Sequence, residues 1–280
     1  MANPSSNSST ANSSAAQSNA QRNTSQEATA AIQVDGKTRY FEPAPQDIDV
    51  DNFRKVVASR RSVRKFTDKA IPKAVLDDCL DLALLAPNSS NLQPWTFYVV
   101  KSADKKTKLV KACMSQLAAK TASELIVCVA RTDRLDEMAK NNLKYWPTET
   151  IPKPAKQYYS FIAYNYKTGF LNTLGAVKKV AFSVARQFMP LPLTAFTQAD
   201  ARLWAAKSTA LACENLVLAL RAHGFDSCMM EGFDEPRVRK LLNLKDEEFP
   251  IMVIGAGERA DDGVFWPQLR FDRDLFIQEV

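Results

Sequence analysis

The chain has 280 residues, 46% of them apolar and 24% charged, enough to bury a sizeable core once any unstructured tail is set aside. Its net charge of +6 would suit a polyanionic partner, but the lysines and arginines are spread along the chain rather than gathered into a run, which argues against a dedicated nucleic-acid arm. Five widely spaced cysteines without a C-x-x-C pair, and one histidine, leave almost no material for a metal centre and read as reduced core thiols of a cytoplasmic protein.

Residues 1–47 open with "MANPSSNSSTANSSAAQSNAQ", rich in Ser, Asn and Ala and without a large hydrophobic before Ile32. Such a segment buries too little to offset its ordering entropy, and it has neither the apolar stretch of a signal peptide nor the arginines of a transit peptide; a disordered tail is expected. The folded part is expected over 48–280. "DIDVDNFRKVVASR" places Phe53, Val56 and Val57 at helical spacing. "SRRSVRKFTD" follows. Taken alone it reads as a solvated basic surface, a kinase site or a phosphate cradle, and the first of these is the favoured reading.

A second helix comes after "DKAIP", with Pro72 in its first turn and Val75, Leu76, Cys79, Leu80 and Ala83 on one face. It ends at Pro87, before the loop "APNSSNLQP" and the strand "WTFYVV". "KKTKLVKACMSQLAAK" has helical periodicity and "ELIVCVA" is a buried strand. Residues 131–198, rich in proline and aromatics, carry one amphipathic stretch over 170–188. A lid or a dimer-covering helix is the preferred reading there, an interfacial membrane helix the alternative; the stretch is too charged to span a bilayer. "ADARLWAAKSTALACENLVLALRAHG" is a long helix, apolar over most of its circumference and ended by Gly224, so it should be central or lie in a subunit interface. His223 then reads as a helix-terminal residue rather than the base of a Ser-His-Asp triad. "FDSCMM" is a strand, "DEPRVRKLLNL" a helix capped by Asp234, and "FPIMVIGAG" a last buried strand. The order of elements gives an α+β or mixed α/β domain.

Three loops carry polar groups where a rigid scaffold could aim them. "APNSSNLQPW" offers amides and hydroxyls, and in "MMEGFDEP" Gly232 would let a backbone N–H approach a flat ligand closely; each is equally a plain turn. "VIGAGERADDG" does not open a long helix with G-x-G-x-x-G, so a Rossmann dinucleotide site is a poor fit. No nucleic-acid module is recognisable.

Taken in order, "RRSVRKF", "APNSSNLQPW", "MEGFD" and "WPQLRF" resemble the FMN-dependent nitroreductase family, from about Phe53 to the C-terminus and with 131–198 as an insertion or lid region. The resemblance implies an α+β fold with a mixed, mostly antiparallel sheet wrapped by helices, and an intertwined homodimer with FMN at the subunit interface. It implies that Arg60, Arg61, Ser62 and Val63 meet the FMN phosphate and ribityl chain, and that Arg64 reaches the pyrimidine edge of the isoalloxazine. Asn88, Ser89, Ser90 and Asn91 would come from the partner subunit. Gln116 is a further pyrimidine-edge candidate. Glu231 and Gly232 would lie near flavin N5, and Arg270, with Arg259 as an auxiliary, would bind phosphate. Many relatives have a lysine two residues before that last arginine; here Gln268 stands there. The implied activity is a ping-pong transfer of a hydride from NAD(P)H to a small electron-poor acceptor such as a nitroaromatic or quinone, with no obligatory protein acid or base. Two alternatives are carried forward: reductive dehalogenation or flavin fragmentation on the same scaffold, and a non-enzymatic basic protein that binds nucleic acid or an anionic membrane.

Overall fold

A computed structural model describes residues 30–34, 37–41, 44–165, 184–188, 190 and 197–280. Most of the amphipathic stretch 170–188 therefore lies outside the described residues, as does the tail before residue 30. The chain divides into two units, Met1–Phe53 and Arg54–Val280. In the first, β1 (Ala30–Val34) pairs antiparallel with β2 (Lys37–Phe41), with Val34 opposite Lys37. Part of the stretch expected to be disordered is thus paired. Its sequence carries the reason: Ile32, Val34, Tyr40 and Phe41 favour strands, and Asp35-Gly36 is a residue pair suited to a two-residue hairpin loop.

Helix α1 (Val50–Ser59) has no buried residue, and leads into the basic segment. In the second unit β3 (Trp95–Val99), β4 (Glu124–Arg131), β6 (Glu248–Gly257) and β5 (Asp226–Met230) form a sheet in the order β3-β4-β6-β5, every neighbouring pair antiparallel. Beyond β5, Ser62 makes a parallel bridge to Ser227, which makes the sheet mixed at that edge. The α+β fold expected from the motifs is observed.

Strand β4 lies at the centre of this core. Leu125 to Ala130 are all fully buried, and the two-residue period of a strand sends them to opposite faces. Ile126 and Cys128 join one cluster with Leu76, Cys79, Cys213, Leu216 and Ile254. Leu125, Val127 and Val129 join another with Val63, Phe66, Leu109, Cys113 and Val238. The first cluster lies under α2 (Lys73–Leu84) and α7 (Gln198–Ala222). The second lies under α3 (Ala103–Ala112), α4 (Leu117–Thr121) and α8 (Glu235–Leu242). A sheet covered on both faces needs strands that are apolar throughout, which is why "ELIVCVA" does not alternate.

Helix α7 opens on a reciprocal capping box between Thr197 and Asp200 and buries Ala201, Ala205, Ser208, Thr209 and Ala212 along one side. Those small side chains let it sit close to the sheet. Helices α5 (Leu135–Lys144) and α6 (Lys153–Asn165) pack on each other after β4. The periodic run "KKTKLVKACMSQLAAK" is two helices rather than one. Met114 (φ 55°) and Ser115 (φ 52°) are left-handed and break it, while Cys113 before the break and Ala118 and Ala119 after it are buried. No glycine or proline announces this turn, so tertiary packing holds it against local preference.

All five cysteines are free and buried. Burial, with the neighbouring Asp78 charge, pushes the Cys79 thiol up to about 12, and burial alone takes Cys113 to about 11. A thiol reagent should therefore react with no cysteine in the native protein and with all five in denaturant, read by colorimetric thiol titration. Gly263 has no room for a side chain: a Cβ there would lie 2.4 Å from the Lys65 carbonyl and 2.9 Å from that of Ala260. Gly263→Ala is expected to destabilise the protein by about 1–3 kcal/mol, measured by urea unfolding.

Candidate active site

The basic segment is held by main-chain bonds. Val63 N–H donates to the Ser227 carbonyl (3.1 Å), Arg64 N–H to the Gly263 carbonyl (2.7 Å) and Thr67 N–H to the Glu258 carbonyl (2.9 Å). Val63 and Phe66 are buried in the core, which anchors the segment from beneath. Arg60, Arg61, Ser62 and Arg64 line a cavity of about 210 Å³ whose other wall is Val264 to Arg270. Val63 therefore faces away from the cavity, and only its backbone is near it.

Among the described residues no Asp or Glu lines this cavity. Arg61 donates to the Trp266 carbonyl, Arg270 to the Leu269 carbonyl (2.8 Å) and Arg64 Nη1 to the Cys228 Sγ (3.3 Å). Among the described residues none of Arg60, Arg61, Arg64 and Arg270 forms a salt bridge, whereas neighbouring cations do: Lys65 with Asp262 (2.7 Å) and Lys69 with Glu258 (2.6 Å). Four guanidinium groups converging without a counter-ion repel one another, and an anion with several oxygens relieves that repulsion through bidentate hydrogen bonds. The donor set fits a phosphate ester. Gln268 also lines the cavity, where it can donate a neutral hydrogen bond but adds no charge.

Arg259, expected as an auxiliary phosphate ligand, is placed elsewhere. Its guanidinium holds the buried Asp226 through two bonds (2.6 and 3.1 Å), and Arg221 reaches the same carboxylate at 2.7 Å. The physical reason is that a buried carboxylate needs paired donors, and Asp226 draws both arginines. Cys228 was not singled out by the sequence. Burial raises its thiol above the usual range and the Arg64 charge works against that. A contact spanning 164 positions leaves no local signal in sequence.

At the end of β5, Glu231 and Gly232 are exposed. Phe233 N–H donates back to the Glu231 carbonyl (3.0 Å), Asp234 N–H to the Ala112 carbonyl (2.8 Å), and Gln116 Nε2 to the Gly232 carbonyl (2.8 Å). A Cβ on Gly232 would meet Gln116 Nε2 at 3.5 Å, an ordinary contact, so the chain itself does not demand glycine there.

The loop Asn88–Asn91 does not line the arginine cavity. Ser90 (φ 58°), Asn91 (φ 49°) and Gln93 (φ 44°) are left-handed. The loop is braced by α5 and α6: Asn91 Nδ2 donates to Asn142 Oδ1 (2.8 Å), Asn142 Nδ2 to the Asn91 carbonyl (2.9 Å), and Ser90 Oγ lies 2.7 Å from Tyr158 OH. Beside it is a cavity of about 330 Å³ with no charged side chain among its described lining residues, which include Asn141, Tyr145, Trp146 and Tyr159. The single histidine, His223, caps α7 and meets Asp78 at 2.7 Å, outside both cavities.

The nitroreductase family model matches residues 57–258. The chain belongs to the nitroreductase family. It is accordingly an oxidoreductase, of a family that uses FMN with NAD(P)H as reductant. The Bacillus subtilis protein YdgI, named as an NAD(P)H nitroreductase, is 26% identical over 77% of this chain and 92% of its own length. Among solved structures, the Bacillus subtilis protein YdfN, described as a nitroreductase, aligns with a TM-score of 0.66 at 23% identity, covering 83% of this chain and all of that one. A protein from Exiguobacterium sibiricum, described as a nitroreductase in complex with FMN, aligns with a TM-score of 0.60 at 21% identity over 81% of this chain and 97% of its own. The match begins at Val57, just ahead of the arginine segment, and ends at Glu258.

Because Arg259 serves Asp226, Arg259→Ala is expected to cost about 1–3 kcal/mol of stability in urea unfolding while leaving flavin affinity within about twofold of the parent.

Proposed function

We propose that the protein is an FMN-dependent reductase that takes a hydride from NAD(P)H and passes electrons by a ping-pong route to small, electron-poor acceptors such as nitroaromatics and quinones. The observation that carries this reading is the cavity of about 210 Å³ lined by four arginines and no acid. Its concave form suits one small phosphate ester better than a polyanion or a membrane surface. When bound, FMN supplies the chemistry, a ring nitrogen that accepts and gives a hydride.

The chain's own residues bind and orient. Arg60, Arg61 and Arg270, with the Ser62 hydroxyl, would hold the phosphate, and the missing lysine at Gln268 leaves its neutralisation to the three arginines. Arg64, drawn inward by Cys228, would present a cation to the pyrimidine edge, where it favours the electron-rich form of the ring. At the N5 side the exposed Gly232 offers an N–H with no side chain to obstruct a flat ligand. No titratable side chain is required to move a proton.

A homodimer is part of the proposal. Phe265, Trp266, Leu269, Phe271, Phe276 and Ile277 are each more than half exposed along the C-terminal segment, and a run of large apolar side chains open to water suits a second copy of the chain. Such a dimer would let Asn88–Asn91 of one subunit complete the arginine site of the other. The uncharged aromatic cavity beside that loop supports a neutral aromatic acceptor. Among the described residues no helix is long and apolar enough to cross a membrane.

The purified protein should be yellow and release FMN on denaturation; a colourless, flavin-free protein that does not take up added FMN would overturn the proposal. Arg60→Ala combined with Arg61→Ala should weaken FMN binding by about 100-fold, about 2.7 kcal/mol, in a fluorescence-quenching titration. Gly232→Ala should fold as the parent does yet bind FMN at least about tenfold more weakly, since its Cβ meets nothing in the chain closer than 3.5 Å.

A further inference from the structure

Three hydrogen bonds hold the turn after β5. Phe233 N–H is spent on the Glu231 carbonyl, Asp234 N–H on the Ala112 carbonyl, and the Gly232 carbonyl on Gln116. The Gly232 N–H has no partner among the described residues, and it belongs to the residue whose carbonyl Gln116 holds. The peptide between Gly232 and Phe233 is held at both ends, by Gln116 at its oxygen and by Glu231 at its nitrogen. The Glu231 carbonyl that accepts from Phe233 belongs to the Glu231–Gly232 peptide, so the same bond ties that plane too, and the unused N–H on its far side keeps one direction.

Gln116 reaches the turn by an unfavourable route. Met114 and Ser115, both left-handed without being glycine, precede it, at a cost of about 1–2 kcal/mol each. The break is closed by Ser115 N–H on the Val110 carbonyl (2.9 Å) and Gln116 N–H on the Cys113 carbonyl (3.1 Å). It is anchored by buried Cys113 and Ala118. The same α3–α4 junction binds the turn twice, through Gln116 and through the Ala112 carbonyl. A continuous helix would have avoided the strain.

We infer that Gln116 is a positioning residue: by holding the Gly232 carbonyl it fixes the Glu231–Gly232 turn so that the Gly232 N–H faces flavin N5, and it does not act as a pyrimidine-edge ligand. The inference rests on the FMN reading given above and assigns Gln116 a different task within it. An N–H held toward N5 favours the ring once it has gained electron density there, so the device sets the reduction potential more than the affinity for oxidised FMN.

The test uses the full-length holoprotein with Gln116→Glu, which keeps the shape but loses the donor, and Gln116→Met, which keeps the volume and has no donor. If one variant folds poorly, the other carries the test. In protein reconstituted with nitrogen-15-labelled FMN, the N5 resonance should move in both variants while N1 and N3 stay in place. The bound potential should become more negative by about 30 mV, a tenfold change in a two-electron equilibrium. Affinity for oxidised FMN should change by less than about threefold, or about 0.7 kcal/mol. Movement of N1 or N3 with N5 unmoved would show a direct pyrimidine contact and overturn the inference, as would an unchanged potential. Failure of the parent itself to bind FMN would refute the underlying reading instead, and the two failures are distinct.

Discussion

The main-chain bonds that pin residues 62–67 between β5 and the exit of β6 are the constraint on which the rest of the site depends. Four arginines repel one another, and nothing in their own side chains would gather them. They are brought together because Val63 and Phe66 are buried beneath the segment while Arg64 N–H bonds the Gly263 carbonyl above it. The burial energy of the core thus offsets the electrostatic cost of the cavity. Gly263 is part of that balance, since any Cβ would push the Lys65 carbonyl away.

Backbone strain is gathered in a few turns. Of the non-glycine residues with positive φ among those described, Ser90, Asn91 and Gln93 lie in or beside the amide-rich loop, and Met114 and Ser115 lie in the junction that holds the Gly232 turn. Asn243, the remaining one, is an ordinary left-handed helix terminus after α8. Strained turns persist only where packing over-determines them, and here each is tied by side chains from a different element: Asn142 and Tyr158 for the loop, Cys113 and Ala118 for the junction. The helices after β4 therefore brace the amide-rich loop.

Charges near the site divide into two kinds. Lys65, Lys69, Arg221 and Arg259 are matched to carboxylates and serve the fold. Arg60, Arg61, Arg64 and Arg270 face a cavity that supplies no acid. In sequence Arg270 stands in the "WPQLRF" motif and Arg259 is an auxiliary candidate for the same task. What separates them is Asp226, a carboxylate with 3% exposure that holds the Arg259 guanidinium through two hydrogen bonds.

The sequence by itself determined the elements with strong periodicity: the unbroken apolar run of β4, the Asp234 cap with Pro236, and Gly224 ending α7. Each is decided by neighbours a few positions away. The order of four short motifs also determined the family, since their joint occurrence is far more specific than any one. Tertiary structure alone decided the break at Met114–Ser115, the commitment of Arg259 to Asp226, the contact of Arg64 with Cys228, and the bond from Gln116 to Gly232. All of these join residues distant in sequence or hold a backbone against its local preference, and such choices are made by packing and by the pairing of buried polar groups, which leave no periodic trace in the chain.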